Sequence, residues 1–261
     1  MGVVRVSGVL LDIDGVLVVS WKPIPGAVEA MRRLRELGPA IRFLTNTTSR
    51  SRADVARLLR DAGISVDDDE ILTAAVATAA YLAWNYPNAR CLLLNEGPQD
   101  DLGDVELVNP GEPADVVVVG SAGPSFSWEA LNVAARTLVD GADLVAMHGT
   151  ASWMTDRGLS VDGGAYSAAL ERATGRRPTI VGKPAPTMFR EALASMRVEA
   201  TDAIMVGDDL ANDVLAAQKT GLHGVLVRTG KFRPETLAAS REAPNTVLDS
   251  FADVPSWLRA R

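Results

Sequence analysis

Two carboxylates interrupt an apolar run near the start of the chain: Asp12 and Asp14 in LLDIDGVLVV, residues 10 to 19. Taking a carboxylate out of water is costly unless a cation or hydrogen-bond donors compensate it. Their partners are therefore the first thing to find. Three further polar clusters stand directly after short apolar runs. Thr45 and Asn46 close AIRFLTN, Lys183 follows TIVG in VGKPAP, and Asp208 and Asp209 follow AIMVG in VGDDLAND.

Metal-assisted phosphoryl transfer uses such a set. Mg2+ takes oxygen ligands in near-octahedral geometry, binds few protein carboxylates, and keeps its other positions for water and phosphate oxygens. In this reading Asp12 and Asp208 supply carboxylates and Asp14 a backbone carbonyl. Asp12 attacks phosphorus, dividing hydrolysis into formation and breakdown of an aspartyl-phosphate. Asp14 protonates the leaving oxygen and later deprotonates the attacking water. That role needs a carboxyl protonated near neutral pH, against an ordinary value of roughly 3.9; burial and the charge of Asp12 are expected to raise it. The Thr45 hydroxyl and the Asn46 amide are expected to hold phosphoryl oxygens, and Lys183 to neutralise charge in the transition state. The metal, Lys183 and the substrate phosphate are then the compensating partners of the two carboxylates.

The clusters converge only if the apolar runs form one parallel sheet, because open α/β sheets place their ligands at the carboxyl ends of the strands. Short apolar runs alternating with amphipathic segments fit that arrangement. Strands are expected at 8–13, 40–45, 89–94, 115–120, 143–148, 179–182, 203–208 and 223–229. PGAVEAMRRLRELG places Val28, Met31, Leu34 and Leu37 at helical spacing before the stop signal Gly38, and SRADVARLLRDAG does the same with Val55, Leu58 and Leu59 before Gly63. The acidic, Gly- and Pro-rich stretch 95–113 reads as surface loop within a middle segment that has its own strands and helices, such as SWEALNVAARTLV. Two units are expected, one interrupted by the other.

Composition narrows the partners. With 26 Lys and Arg against 33 Asp and Glu, the net charge of −7 disfavours nucleic acid. Cys91 is the one cysteine of the chain, which excludes an intrachain disulfide and any multi-cysteine metal site and fits a reducing compartment. His148 and His223 are too few and too far apart for a zinc-hydrolase motif. The N-terminal apolar run stops at Asp12, too short to span a membrane and without a cleavage site, so a cytoplasmic location is expected.

DIDGV, FLTN, GKP and GDDLAND, in this order, resemble the four motifs of the haloacid dehalogenase superfamily, and the resemblance covers nearly the whole chain. The long separation of Asn46 from Lys183 is similar to the subgroup with a large C2-type α/β cap inserted after the second motif, which includes pyridoxal phosphate, phosphoglycolate and p-nitrophenyl phosphatases. IRFLTNTT, GDDLANDV and VRTGKFRP most resemble the branch of phospholysine phosphohistidine inorganic pyrophosphate phosphatase.

The resemblance implies an α/β protein with a Rossmann-like parallel-sheet core, residues 1–78 and 179–261, and an inserted α/β cap, residues 79–178. It implies a magnesium-dependent phosphatase acting on a small phosphorylated metabolite. Asp12 is then the nucleophile, Asp14 the acid/base, Thr45 and Asn46 the phosphate binders, Lys183 the third motif and Asp208 the metal ligand. Asp209 and Asp213 match the rest of the fourth motif, orienting Lys183 or metal-bound water. Some relatives in this branch carry serine at the position of Asp14, so the aspartate here favours hydrolysis. The cap loop reads MHGTASWMTDRGLSVDGG rather than the subgroup's Asn-Pro-Asp pattern, which leaves His148 and Trp153 as its candidate specificity residues.

Arg228 and Lys231 in VRTGKFRPE read as a solvated loop, and Cys91 as an inert core residue. Haloalkanoate dehalogenation needs neither Asp14 nor Asp208 and is disfavoured by both. A phosphotransferase of the same fold and a catalytically degenerate binder of a metabolite or protein are the alternatives; the intact catalytic set counts against the second. The sequence leaves a homodimer open.

Overall fold

The computed structural model describes residues 6–155 and 158–260. The chain begins with β1 (Gly8–Asp12), a short hairpin of β2 (Val18–Val19) and β3 (Lys22–Pro23), α1 (Ala27–Leu37), β4 (Ala40–Thr45), α2 (Arg52–Asp61) and β5 (Ile71–Thr73). It continues through α3 (Ala74–Asn85), β6 (Arg90–Leu94), β7 (Glu106–Val108), β8 (Val116–Val119), α4 (Trp128–Val139) and β9 (Asp143–Ala146). A hairpin of β10 (Ser152–Thr155) and β11 (Gly158–Val161), then α5 (Gly163–Thr174) and β12 (Thr179–Ile180), complete the middle of the chain. The last part holds α6 (Pro186–Met196), β13 (Ala203–Gly207), a π-helical stretch (Leu210–Leu215) continued by α7 (Ala216–Lys219), and β14 (His223–Val227). It ends with α8 (Pro234–Ala239), β15 (Thr246–Leu248) and α9 (Val254–Arg259).

The contacts of the chain divide it into two compact units, residues 1–45, 52–72 and 183–261 on one side and 46–51 and 73–182 on the other. The expected boundary at 78/79 would cut α3. The observed one leaves that helix whole, because Thr73 caps it by accepting a hydrogen bond from the Val76 amide and donates to Asp101 of the same unit.

The first unit is built on a six-stranded sheet in the order β15-β14-β13-β1-β4-β5. β1 pairs in parallel with β13 on one side and with β4 on the other. All five of its residues are buried, as a strand covered on both faces requires. On one face Val9 and Leu11 pack with Phe43, Ile204, Val206, Met31, Leu34, Val55 and Leu59; α6 lies against β1 and β4. The chain extends from β1 to β4 and β5 in one direction and returns to β13, β14 and β15 in the other. The strand order therefore reverses beside β1, which places a ligand crevice at the carboxyl ends of β1 and β13.

The second unit has a five-stranded parallel sheet, β12-β9-β8-β6-β7. Its core holds Leu92, Leu94, Val117, Val119, Phe126, Leu138, Leu144 and Leu170.

Each of the eight expected strands is present, some shortened by a residue or two. The stretch 95–113 is not all loop: it contains a 3-10 turn (Asp100–Leu102), whose Leu102 is buried, and β7 at the edge of the sheet. In α1 the buried face is Ala27, Ala30, Met31 and Leu34, and Val28 is exposed. No helix among the described residues is long and apolar enough to cross a membrane.

Candidate active site

Asp12 is the last residue of β1, and Asp208 follows the last residue of β13, its parallel neighbour. Both are buried, at 6% and 1% exposure. Lys183, also 6% exposed, reaches Asp12 Oδ1 at 2.5 Å and Asp213 Oδ1 at 2.7 Å, with the Leu44 carbonyl at 3.4 Å. Asp213 comes from the π-helical stretch after β13, and its Oδ2 accepts the Asp209 amide at 3.2 Å. Asp209 has a different task. Its Oδ1 accepts the amides of Ala211 and Asn212, so its carboxylate caps the start of the helical stretch.

Lys183 contacts Asp12 and Asp213, and the charge of Lys231 also reaches Asp12 and Asp208, so two ammonium groups face three buried carboxylates and the cluster is one positive charge short. Ligand atoms of Asp12, Asp208 and Asp213 all lie within 4.8 Å of one another. Burial raises the pKa of Asp12; Lys183 opposes the shift and Asp208 adds to it. Burial also pushes Asp208 and Asp213 up to about 6. Burial works against the charge of Lys183 in turn, but Asp12 and Asp213 more than offset it and hold the lysine above its ordinary value.

The donor set fits a hard divalent cation. Asp208 Oδ2 accepts the Lys231 amide at 2.6 Å, whereas Asp208 Oδ1 is buried and has no hydrogen-bond partner among the described residues. A buried carboxylate oxygen in that condition is a position that a hard cation can take. Asp213 already serves Lys183 and the Asp209 amide, so Asp12 and Asp208 are the carboxylates with capacity to spare.

Asp14 stands two residues beyond the end of β1, exposed rather than buried. Crowding by surrounding protein still raises its carboxyl above the ordinary value, against the pull of Lys231 and then Lys183. The charge of Asp12, expected to contribute, is not among the causes. Thr45 is the buried last residue of β4, next to β1 in the sheet. Asn46 follows it in sequence and is counted with the second unit, where its Oδ1 approaches Gly182.

The sequence family described as haloacid dehalogenase-like hydrolase matches residues 9–105, and a second, HAD-hydrolase-like, family matches 180–254. The human protein named haloacid dehalogenase-like hydrolase domain-containing protein 2 is 36% identical over 245 residues, 94% of this chain and 93% of its own length. The chain belongs to the haloacid dehalogenase-like hydrolase family. Phospholysine phosphohistidine inorganic pyrophosphate phosphatase of Rattus norvegicus is 36% identical over 254 residues, 95% of this chain and 91% of the relative. Among solved structures, p-nitrophenyl phosphatase from Archaeoglobus fulgidus superposes with a TM-score of 0.90 at 34% identity, covering 97% of this chain and 99% of that one. The protein is a haloacid dehalogenase-type phosphatase.

Two residues of the haloacid dehalogenase-type fold escaped the sequence reading. Lys231, read as part of a solvated loop, gives its backbone amide to Asp208, and Thr229 gives its hydroxyl to the carbonyl of Gly15. The available signal was position: TGK follows an apolar strand at the rim where the other motifs end.

The candidate specificity residues belong to the second unit. His148 is 3% exposed. Its Nδ1 accepts the Thr150 amide at 3.2 Å, which puts the proton of the neutral ring on Nε2, 3.9 Å from Asp162 Oδ2. Asp162 Oδ1 in turn accepts the amides of Gly163 and Ala122. His148 thus stands beside Asp162, the residue that caps α5, at a distance too long for a hydrogen bond. The backbone of Trp153 belongs to β10, and its side chain lies outside what the structure describes.

Proposed function

We propose that this phosphatase hydrolyses a small phosphorylated metabolite with Mg2+, through an aspartyl-phosphate on Asp12. The observation that carries the reading is the pair of buried carboxylates at the ends of neighbouring strands, Asp12 on Lys183 and Asp208 with one oxygen unpartnered. Asp12 and Asp208, with the carbonyl of Asp14, would hold the cation. When bound, it supplies positive charge for the phosphoryl oxygens and offsets the repulsion between them and Asp12.

A carboxylate oxygen of Asp12 attacks phosphorus, the bond to the leaving oxygen breaks, and the Asp14 carboxyl gives that oxygen its proton. Asp14 then takes a proton from water, whose oxygen attacks phosphorus. The bond from Asp12 to phosphorus breaks, freeing inorganic phosphate and restoring the carboxylate. Lys183, fixed by Asp213, keeps the Asp12 oxygen aimed and balances charge in the transition state. Thr45 and the Asn46 amide hold the phosphoryl oxygens.

These groups act on the phosphoryl group that all substrates share. Selection among leaving groups is assigned to the second unit. The names of relatives, which include p-nitrophenyl phosphate and inorganic pyrophosphate as substrates, support this substrate range. The single buried cysteine fits the reducing cytoplasm. The test is phosphate release from p-nitrophenyl phosphate and a panel of phosphorylated metabolites, with and without Mg2+. Release that requires Mg2+ is expected; release unaffected by chelation would remove the metal from the account.

A further inference from the structure

The loop after β14 touches both strand ends that would hold the cation. The Thr229 hydroxyl donates to the carbonyl of Gly15, and the Lys231 amide donates to Asp208 Oδ2. Between them Gly230 lies against Gly15. A Cβ on Gly230 would come within 2.5 Å of the Gly15 Cα and 1.9 Å of Asp208 Oδ2, and a Cβ on Gly15 within 1.9 Å of the same oxygen. Both glycines also have positive φ, at 58° and 86°, so an L side chain is excluded by conformation as well as by space. Backbone, backbone and carboxylate are in direct contact.

This contact fixes the orientation of two donors. The Gly15 amide is bound to the Val18 carbonyl at 2.8 Å. Because a trans peptide is planar, that bond also fixes the Asp14 carbonyl, which points the opposite way from the Gly15 N–H. Thr229 fixes the next peptide plane through the Gly15 carbonyl, so the turn is pinned on both sides. At Asp208, the Lys231 amide occupies Oδ2 and leaves Oδ1 as the oxygen without a hydrogen-bond partner.

We propose that the Thr229–Lys231 loop is a positioning element of the divalent-cation site: Thr229 sets the turn that carries the Asp14 carbonyl, and the Lys231 amide selects which oxygen of Asp208 meets the cation. The inference rests on the reading that Asp12, Asp14 and Asp208 hold Mg2+. Groups that orient metal ligands from behind typically account for about 10- to 100-fold in affinity.

The experiment titrates Mg2+ calorimetrically into metal-free wild type, Thr229→Ser, Thr229→Ala and Asp208→Ala, and records the melting temperature of each without metal. Serine and alanine differ by the hydroxyl alone. Thr229→Ala is expected to weaken Mg2+ binding about tenfold or more with its metal-free melting temperature close to that of Thr229→Ser, and Thr229→Ser to bind nearly as wild type. Equal affinity in the serine and alanine variants would overturn the proposal while leaving the metal reading intact. Failure of Thr229→Ala to fold where Thr229→Ser folds would also overturn it, since the hydroxyl would then serve the fold rather than the site. Wild type that binds no Mg2+, or Asp208→Ala that binds as tightly as wild type, would sink the metal reading itself.

Discussion

Lys183 Nζ lies 2.5 Å from Asp12 Oδ1 in an environment where both side chains are almost fully buried. Removing one member of such a pair strands the other. Lys183→Met is therefore expected to cost about 3–5 kcal/mol of stability and to abolish turnover, because Asp12 and Asp213 lose their shared counter-charge. Thermal unfolding and phosphate release measured together check this. A stable, active Lys183→Met protein would show that the contact is incidental.

Asp208 and Asp213 look alike in sequence, and the structure separates them. Asp208 carries the unpartnered oxygen, whereas Asp213 is bonded to Lys183. Asp208→Asn should raise the Mg2+ concentration needed for half-maximal activity about tenfold or more. Asp213→Asn should lower kcat and leave that requirement within a few-fold of wild type. Reversed effects in a metal titration would exchange the two roles.

Asp14→Asn removes the proton donor but not the nucleophile. Turnover of an alkyl phosphate should fall by about 10²- to 10⁴-fold, the usual worth of general acid–base catalysis. An aryl phosphate, whose leaving group needs no protonation, should still phosphorylate Asp12, and the phosphoenzyme should accumulate because water is no longer activated. Intact-protein mass spectrometry after rapid quenching would detect it; equal losses for both substrates without accumulation would deny Asp14 the acid role.

The strand ends were legible because β1 and β13 are buried on both faces and β4 is buried at its carboxyl end, so that each reads as an apolar run stopping at a polar residue. Less visible was β5, whose ILT runs directly into the alanine-rich α3 with no turn signal between. β7 and β15 have three residues each, are only partly buried, and look like the loops around them. The inward turn of Asp213 depends on the π-helical stretch that brings it to Lys183, which no spacing rule in VGDDLAND announces. Thr229 and Lys231 act through one hydroxyl and one backbone amide, and an amide leaves no trace in residue type.

Burial lowers the pKa of His148, with Asp162 opposing the shift. The unfolded chain, with a histidine near about 6.5, then binds more protons than the folded one below that pH. The contribution is fully present above about 6.5 and is lost as pH falls below it, by up to about 1.4 kcal/mol per pH unit. Denaturant unfolding of wild type and His148→Gln between pH 5.5 and 7.5 isolates this part. Wild type should lose its advantage on the acid side; a difference constant with pH would place the proton elsewhere.

The proposed mechanism has Asp12 take the phosphoryl group. Its most direct test is the rate of phosphate release from p-nitrophenyl phosphate by purified Asp12→Asn beside wild type, at saturating Mg2+ and with matched folding by circular dichroism. An amide is a poor nucleophile and a poorer Mg2+ ligand, so release should drop by at least about 10³-fold. Asp12→Asn that retained near-wild-type release would contradict the account.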